Sequence, residues 1–456
     1  FEFLEDVLNE VMALFPSKYI HVGGDEATKT NWKTCPHCKK RIKTEGLANV
    51  EELQSYFIKR MERFISSKGR VLVGWDEILE GGLAPGATVM SWRGVKGGLE
   101  ASAEGHDVVM TPGSHCYFDH YQGDQDQEPQ AWGGYLPLSK VYQFDPIVDG
   151  MTSEQANHVL GGQANLWAEY VPTAQQSEYM IFPRLAALSE AVWSSKESKD
   201  WDSFSGRVQK MFQRYDVMGI NYAKSAYQIT ADTKIDMKNG NLTVELKNEF
   251  PNSDIRYSLD GSNLDSTSMK YDGTFQLNKS TPIKAAMFRN NERLGSVLKK
   301  YINYHKATGK KVTYKEIYHK SYQGAGESGM VNVLRGSKNF HDGQWQAWLG
   351  NDMELVIDLE KVTDISKVSV GTMESQGSGI YFPLKAEVFL STDNKSYKSV
   401  GFKARAFRAN GSTQLKDFTI NCGNRKARYV KVNVKNLGSP PTGGGSWLFV
   451  DEIIVE

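Results

Sequence analysis

Along residues 1–215 the apolar positions follow two alternating patterns. In FEFLEDVLNEVMALFP, Leu4, Val7, Leu8, Val11, Met12 and Leu14 recur at helical spacing. KYIHVGGDE (18–26) is a short apolar run with a polar end. The spacing then predicts a long helix over about 49–68, with Leu53, Phe57, Ile58, Met61 and Phe64 on one face. RVLVGWDE (70–77) and ATVMSWRG (87–94) are further runs, followed by a helix near 96–104. HDVVMTPG (106–113), a long irregular loop, HVLGGQANLWAE (158–169) and a helix over about 177–194 complete the series. Apolar runs without polar alternation, separated by helices, predict strands covered on both faces, as in a parallel sheet. Five such β-strands are expected.

In four of them a polar or aromatic cluster follows the apolar run: GGDE, GWDE, SWRG and NLWAE. A (β/α)₈ barrel places its active site at the carboxyl ends of its strands. A doubly wound sheet would gather its site at one switch point and usually carry a glycine-rich phosphate loop. No GxGxxG follows any strand, so a partial (β/α)₈ TIM barrel is the expected fold for 1–224. Its first three units would lie upstream, as would any export signal. From 225 to 305 the texture changes to short alternating runs (LTVEL, DIRYSLDGS, PIKAAMF), with Asp260-Gly261 as a hairpin signal. This predicts a small β-sandwich. KATGKK (306–311) reads as a linker, and 313–456 as a second antiparallel sandwich containing ELVIDLE, KVSVGT, KAEVFLST and ARYVKVNV. The whole is a multidomain α/β plus all-β chain.

Composition narrows the function. Lys and Arg total 54 and so do Asp and Glu, which removes electrostatic support for a nucleic-acid partner. No run approaches a membrane span. The 10 Trp and 21 Tyr suit sugars, whose rings offer an apolar C–H face beside hydroxyls. Cys35 and Cys38 form CPHC without the second pair a zinc ribbon needs, so a structural role is expected, as a local disulfide or buried thiols.

At the strand ends, Asp25 and Glu26 are adjacent. On a regular strand they would point to opposite faces. Beyond the strand, Gly23 and Gly24 let the backbone bend so that both reach one cavity. Two carboxylates held close predict one raised pKa, as a general acid requires. Taken alone, the pair reads equally well as a cap for the next helix or a solvated turn. Trp75, Trp92 and Trp167 each follow a different strand, Trp132 lies in the long loop, Glu169 lies two residues beyond Trp167, and Tyr117 and Asp119 sit in YFDHY. Together they offer aromatic walls and hydroxyl-binding carboxylates. A metal centre would want clustered His and carboxylate ligands.

In these residues the chain resembles the β-N-acetylhexosaminidases of glycoside hydrolase family 20. HVGGDE is similar to that family's H-x-GGDE signature, and GWDEIL, SWRG, YFD and NLWAE to its later motifs, in order, over roughly 1–215. The resemblance implies an exo-acting enzyme that releases terminal non-reducing N-acetylglucosamine or N-acetylgalactosamine with retention and without a catalytic cofactor. The family is an exception to the two-carboxylate scheme in that the substrate assists. By resemblance, Glu26 is the general acid and base. Asp25 orients the 2-acetamido group, whose oxygen attacks C1, and Tyr117 hydrogen-bonds that oxygen. Trp75, Trp92 and Trp167 wall the acetamido pocket, Asp119 and Glu169 hold outer hydroxyls, and Trp132 lines the leaving-group side. The family also uses an Arg and a His from earlier strands, so activity is expected to require the upstream part of the barrel. A secreted, periplasmic or cell-surface bacterial location is expected by analogy.

Residues 225–305 resemble the small C-terminal sandwich of many bacterial hexosaminidases. Residues 313–456 resemble a discoidin-type (coagulation factor 5/8 type C) domain, similar to family 32 carbohydrate-binding modules, through DGQWQAWLG, ELVIDLE, ARYVKV and FVDEI. Tyr381, Phe382 and Trp447 are its candidate glycan contacts, whereas Trp345, Trp348 and Phe449 are expected in the core. The resemblance also implies a structural calcium near Asp342 and Glu452. Two other classes compete: a catalytically inactive glycan-binding lectin or adhesin on the same scaffold, and a metal-dependent hydrolase using Asp25, Glu26 and Asp76.

Overall fold

The computed structural model of the chain describes residues 1–125, 127–236, 241–441 and 443–456. They form two compact units, Phe1–Gly123 with Glu128–Ala223, and Asp124–Gln127 with Lys224–Glu456.

The first unit is built on five parallel strands: β1 (Tyr19–His21), β2 (Val71–Trp75), β3 (Thr88–Ser91), β4 (Val108–Met110) and β5 (Val159–Gly162). Each strand pairs with the next in sequence. Unbroken sequential order, with no reversal point, is the order of a barrel wall and not of a doubly wound sheet. Ile20, Leu72, Val89, Val108 and Met110 are buried in it.

Helix α1 (Glu2–Leu14) precedes β1. Helix α3 (Val50–Ser67) covers β2, and α2 (Pro36–Glu45) comes before it. The Asn49 side chain caps α3 by accepting the Glu52 N–H at 2.9 Å. The buried face of α3 differs from the expected one. It runs through Val50, Gln54, Ile58, Met61 and Ile65, while Phe57 is exposed beneath the Phe1 ring. Gln54 is drawn inward because its amide donates to the Gly24 carbonyl at 2.8 Å. α4 (Lys96–Ala103) follows β3 as expected. The single helix expected over 177–194 is two, α5 (Ala174–Ile181) and α6 (Arg184–Trp193), interrupted at Pro183, which has no N–H to continue the ladder.

In the second unit, strands over 230–302 form a three-stranded and a four-stranded antiparallel sheet around Val244, Leu246, Ile255, Ile283 and Met287. Asp260-Gly261 lies, as expected, in a hairpin, within the long loop that joins the antiparallel strands 254–258 and 269–270. The tight hairpin lies at Asn290-Asn291, both with positive φ, between the paired Arg289 and Glu292. Residues 306–311 are not a free linker. Ala307 and Thr308 are buried, and the Gly309 N–H donates to the Val331 carbonyl at 2.9 Å. Beyond them seven antiparallel strands enclose an apolar core that contains Trp348, Leu355, Ile357, Val388, Val430 and Val432.

Candidate active site at the strand ends

β1 stops at His21, and the next four residues turn away from the sheet. Gly23 and Gly24 have φ of 74° and 103°, and Glu26 itself is at 47°. The Gly23 carbonyl accepts the Trp75 N–H at 2.9 Å, and the His21 Nδ1 accepts the Gly23 N–H at 3.0 Å. The turn is therefore tied to β2, to its own strand and, through Gln54, to α3. Asp25 and Glu26 leave it exposed. The helix-cap reading fails, because the next helix begins at Pro36 with Cys35 as its N-cap. Residues with positive φ and a side chain are strained and persist where their surroundings hold them, often at functional sites. Gly24 also has no room for a side chain: a Cβ there would lie 2.7 Å from Ile78 Cγ2. Gly24→Ala is expected to lower stability by ~1–3 kcal/mol, combining that overlap with the unfavourable φ. A thermal melt followed by circular dichroism measures it, and an unchanged midpoint would contradict the account.

The aromatic residues pack against one another at the neighbouring strand ends. The Trp75 ring stands 4.8 Å from His21 and 6.0 Å from Trp167. Trp92 stacks on Tyr117 with centroids 6.1 Å apart and planes 24° apart. Tyr117 lies beside the β5 end because the 116–118 backbone pairs with Asn165: Phe118 N–H donates to the Asn165 carbonyl at 2.7 Å and Asn165 N–H to Cys116 at 2.8 Å. Burial pushes the Tyr117 phenol up to about 12, against the hydrogen bonds from Trp167 and Asn165. At neutral pH it is a neutral hydroxyl beside Trp167 and Asn165. Asp25 is close enough to His21 to oppose the fall in the imidazole's pKa that burial causes.

Asp119 is 4% exposed, and its Oδ1 has no hydrogen-bond partner among the described residues. Burial raises its pKa to about 6, with its own N–H and Arg184 pulling down and Glu169 pushing up. Asp119 and Glu169 therefore sense each other, and Trp132 joins that side through Tyr170, with ring centroids 6.1 Å apart. Glu169, Trp132 and Trp167 are exposed. A carboxyl whose folded pKa lies above its unfolded value binds more protons when folded, so its ionisation costs stability as pH rises from about 4 to 6. Asp119→Asn is expected to raise the unfolding midpoint at pH 7 by an amount equivalent to at most about 3 kcal/mol. The gain should vanish below pH 4, and melts at the two pH values check both signs.

Of the polar residues in the GWDE cluster, the sequence assigns Asp76 only a role as a candidate metal ligand and Glu77 none. Asp76 and Glu77 occupy a 3₁₀ turn, Asp76–Leu79, and both are buried. Arg93 Nε donates to Asp76 Oδ1 at 2.7 Å and lies 3.7 Å from Glu77 Oε1, while its Nη1 donates to Glu80 at 3.1 Å. Asp76 is thus committed to an ion-pair cluster behind the pocket, which does not fit a metal set shared with Asp25 and Glu26. Asn165 and Arg184 were also missed. Asn165 is the first residue of NLWAE, and nothing in its neighbours distinguishes it from a loop amide.

Elsewhere the candidates fare differently. Tyr381 and Phe382 are buried, and Phe382 lies under Arg405 with 4.7 Å between guanidinium and ring centroid. They are core residues, not a glycan surface. Trp345, Trp348 and Phe449 are in the core as expected. Trp447 is half-buried, edge-on to His319 at 5.1 Å and Tyr322 at 5.2 Å. Asp342 accepts the Ser337 and Gln344 N–H groups, while the fully buried Glu452 pairs with His305 Nε2 at 2.8 Å. These separate partner sets do not fit one calcium bridging both acids. Cys35 and Cys38 are free, partly exposed thiols, neither bridged nor buried. Hydrogen bonds, first from the Cys38 N–H and then from its thiol, lower the Cys35 pKa.

The sequential parallel sheet, with adjacent carboxylates and aromatic side chains at its carboxyl ends, defines part of a (β/α)₈ barrel. Residues 1–196 match the model of the glycosyl hydrolase family 20 catalytic domain. Residues 244–302 match the Fn3 associated family and 317–453 the F5/8 type C domain. A Porphyromonas gingivalis β-hexosaminidase is 51% identical over 223 residues, 49% of this chain and 29% of that protein. A Vibrio furnissii β-hexosaminidase is 36% identical over 192 residues, 41% of this chain and 31% of that protein. The chain therefore spans less than a third of the length of either relative. The crystal structure of an exo-β-N-acetylglucosaminidase from Vibrio harveyi with N-acetylglucosamine aligns at 31% identity and a TM-score of 0.45, over 48% of this chain and 35% of that one. Among the described residues no helix is long and apolar enough to cross a membrane.

Proposed function

We propose that the chain supplies the acid, nucleophile-orienting and acetamido-binding half of an exo-β-N-acetylhexosaminidase active site. The observation that carries this is the aromatic cluster in which Trp75 meets Trp167, Trp167 reaches the neutral Tyr117 hydroxyl and Trp92 stacks on Tyr117, on the same strand ends as a glycine-built turn that presents Asp25 and Glu26. An acetamido group fits that pocket: its methyl would meet indole faces and its oxygen the Tyr117 O–H. Held there, the amide oxygen lies under C1. Asp25 would orient the amide N–H and balance the positive charge that develops as the oxygen attacks. Glu26 would protonate the departing oxygen, then take a proton from the incoming water. Configuration is retained because C1 is displaced twice. Asp119 and Glu169 would accept sugar hydroxyls, with Trp132 beyond them on the leaving-group side.

The sheet ends at β1 and β5, so the remaining sugar contacts would come from further strands of the same barrel, and activity would need them. The substrate is then a glycan with a terminal β-linked N-acetylhexosamine, met outside the cytoplasm; cell fractionation with an antibody would test the location. Trp447, with His319 and Tyr322, is the better accessory sugar platform than Tyr381 and Phe382.

The intact polypeptide containing this chain should hydrolyse a chromogenic N-acetyl-β-glucosaminide. It should be inhibited by a thiazoline mimic of the oxazolinium, be insensitive to EDTA, and release β-anomer first by NMR. Initial release of α-anomer, or no inhibition by the thiazoline, would overturn the substrate-assisted reading.

A further inference from the structure

We propose that Glu77 is a positioning residue that sets the plane of Trp92, and through it the size of the acetamido pocket. This rests on the reading above for what the pocket binds, but not for how its wall is held.

Trp92 has two faces to its environment. One ring face stacks on Tyr117. Its only polar atom, the indole N–H, donates to Glu77 Oε2 at 2.9 Å. Glu77 follows β2 and Trp92 follows β3, so this bond joins two neighbouring strand ends. Glu77 is itself immobilised: it is 6% exposed, sits in the 3₁₀ turn, and lies 3.7 Å from the Arg93 guanidinium, which is fastened to Asp76 and Glu80. A carboxylate fixed from behind fixes what it accepts. An indole has only two side-chain torsions, and with its N–H held and its face stacked both are determined. Without the acceptor, the ring keeps the stack but can swing about it, and a part-buried N–H is left unpaired.

The expected signature is in specificity more than in fold. A hydrophobic pocket discriminates one extra methylene by about 10–200-fold when its wall is rigid. In the intact polypeptide, Glu77→Ala should lower kcat/KM on N-acetyl substrate about 10- to 100-fold, the size of a lost charge-assisted hydrogen bond. It should also shrink the preference for N-acetyl over N-propionyl substrate several-fold. Glu77→Gln retains an acceptor oxygen and should keep that preference within about 2-fold. Trp92→Phe keeps a ring but removes the donor, so adding Glu77→Ala to it should change the preference little further. Equal losses on both substrates would make Glu77 merely structural and overturn the proposal, as would a Gln variant as damaged as Ala. If Glu77→Ala does not fold, the Gln and Phe variants decide.

A second readout is independent of turnover. With ¹⁵N-labelled tryptophan, the Trp92 indole cross-peak is the one that disappears in Trp92→Phe. In Glu77→Gln it should shift more than any other indole signal, and a stationary peak would overturn the proposal. A parent protein without hydrolysis would refute the enzymatic reading while leaving this test intact.

Discussion

Glu26→Gln is expected to abolish hydrolysis of N-acetylhexosaminides whose leaving group needs protonation, with a loss of about 10²–10⁴-fold in kcat, the usual worth of a positioned acid. The change is nearly isosteric, so the 23–26 turn should survive it, and Gln at φ 47° is no worse placed than Glu. Substrates with an activated phenolate leaving group should lose much less in the first step, because they depart unprotonated. Asp25→Asn should instead damage both classes, since orienting the acetamido group precedes departure in either case. Comparing kcat/KM for a nitrophenyl and an alkyl glycoside in the two variants separates the roles. Near-normal turnover of the alkyl glycoside by Glu26→Gln would sink the assignment.

The second large effect is on stability. Arg184→Met should destabilise the chain by about 3–5 kcal/mol, as expected when a buried, hydrogen-bonded charge is removed and its partners are stranded. The Arg184 side chain is fully buried on α6. Its Nη1 donates to the His120 and Leu136 carbonyls at 3.0 and 3.1 Å, its Nη2 to those of Phe118 and Met180, and its Nε again to Met180. Phe118 and His120 flank Asp119 and follow Tyr117, so one side chain bolts the loop that carries two site residues. The Met stem fills the space but leaves three loop carbonyls dry. Asp119 would also lose the charge that holds its pKa down. A urea titration measures the change, and a midpoint within about 1 kcal/mol of the parent would show that the loop holds itself.

Much of this was legible in the chain. Buried parallel strands cannot alternate polar with apolar residues, so β1 to β5 announced themselves as apolar runs, and their clusters were read in the right order. The buried face of α3 was misread because Leu53 and Phe57 are more apolar than Gln54, yet Gln54 has a carbonyl to satisfy at Gly24 and so turns inward. Tyr381 and Phe382 were misread because an aromatic pair in a loop looks the same whether the loop lies over a core or over solvent.

The sequence by itself determined which segments are strands, where their chemistry-bearing ends lie, and that two carboxylates leave β1 on a glycine turn. These are local properties, encoded in spacing and in residues that only certain backbones accommodate. The tertiary structure alone decided which polar groups face one another. Glu77 meets Trp92 across two strand ends, Arg184 meets carbonyls 48 to 66 residues away, and Asp119 is buried with one oxygen unpartnered among the described residues and within reach of the Glu169 charge. Such pairings depend on the register of neighbouring strands and the depth at which a side chain lies. Neither is a property of any short stretch of chain.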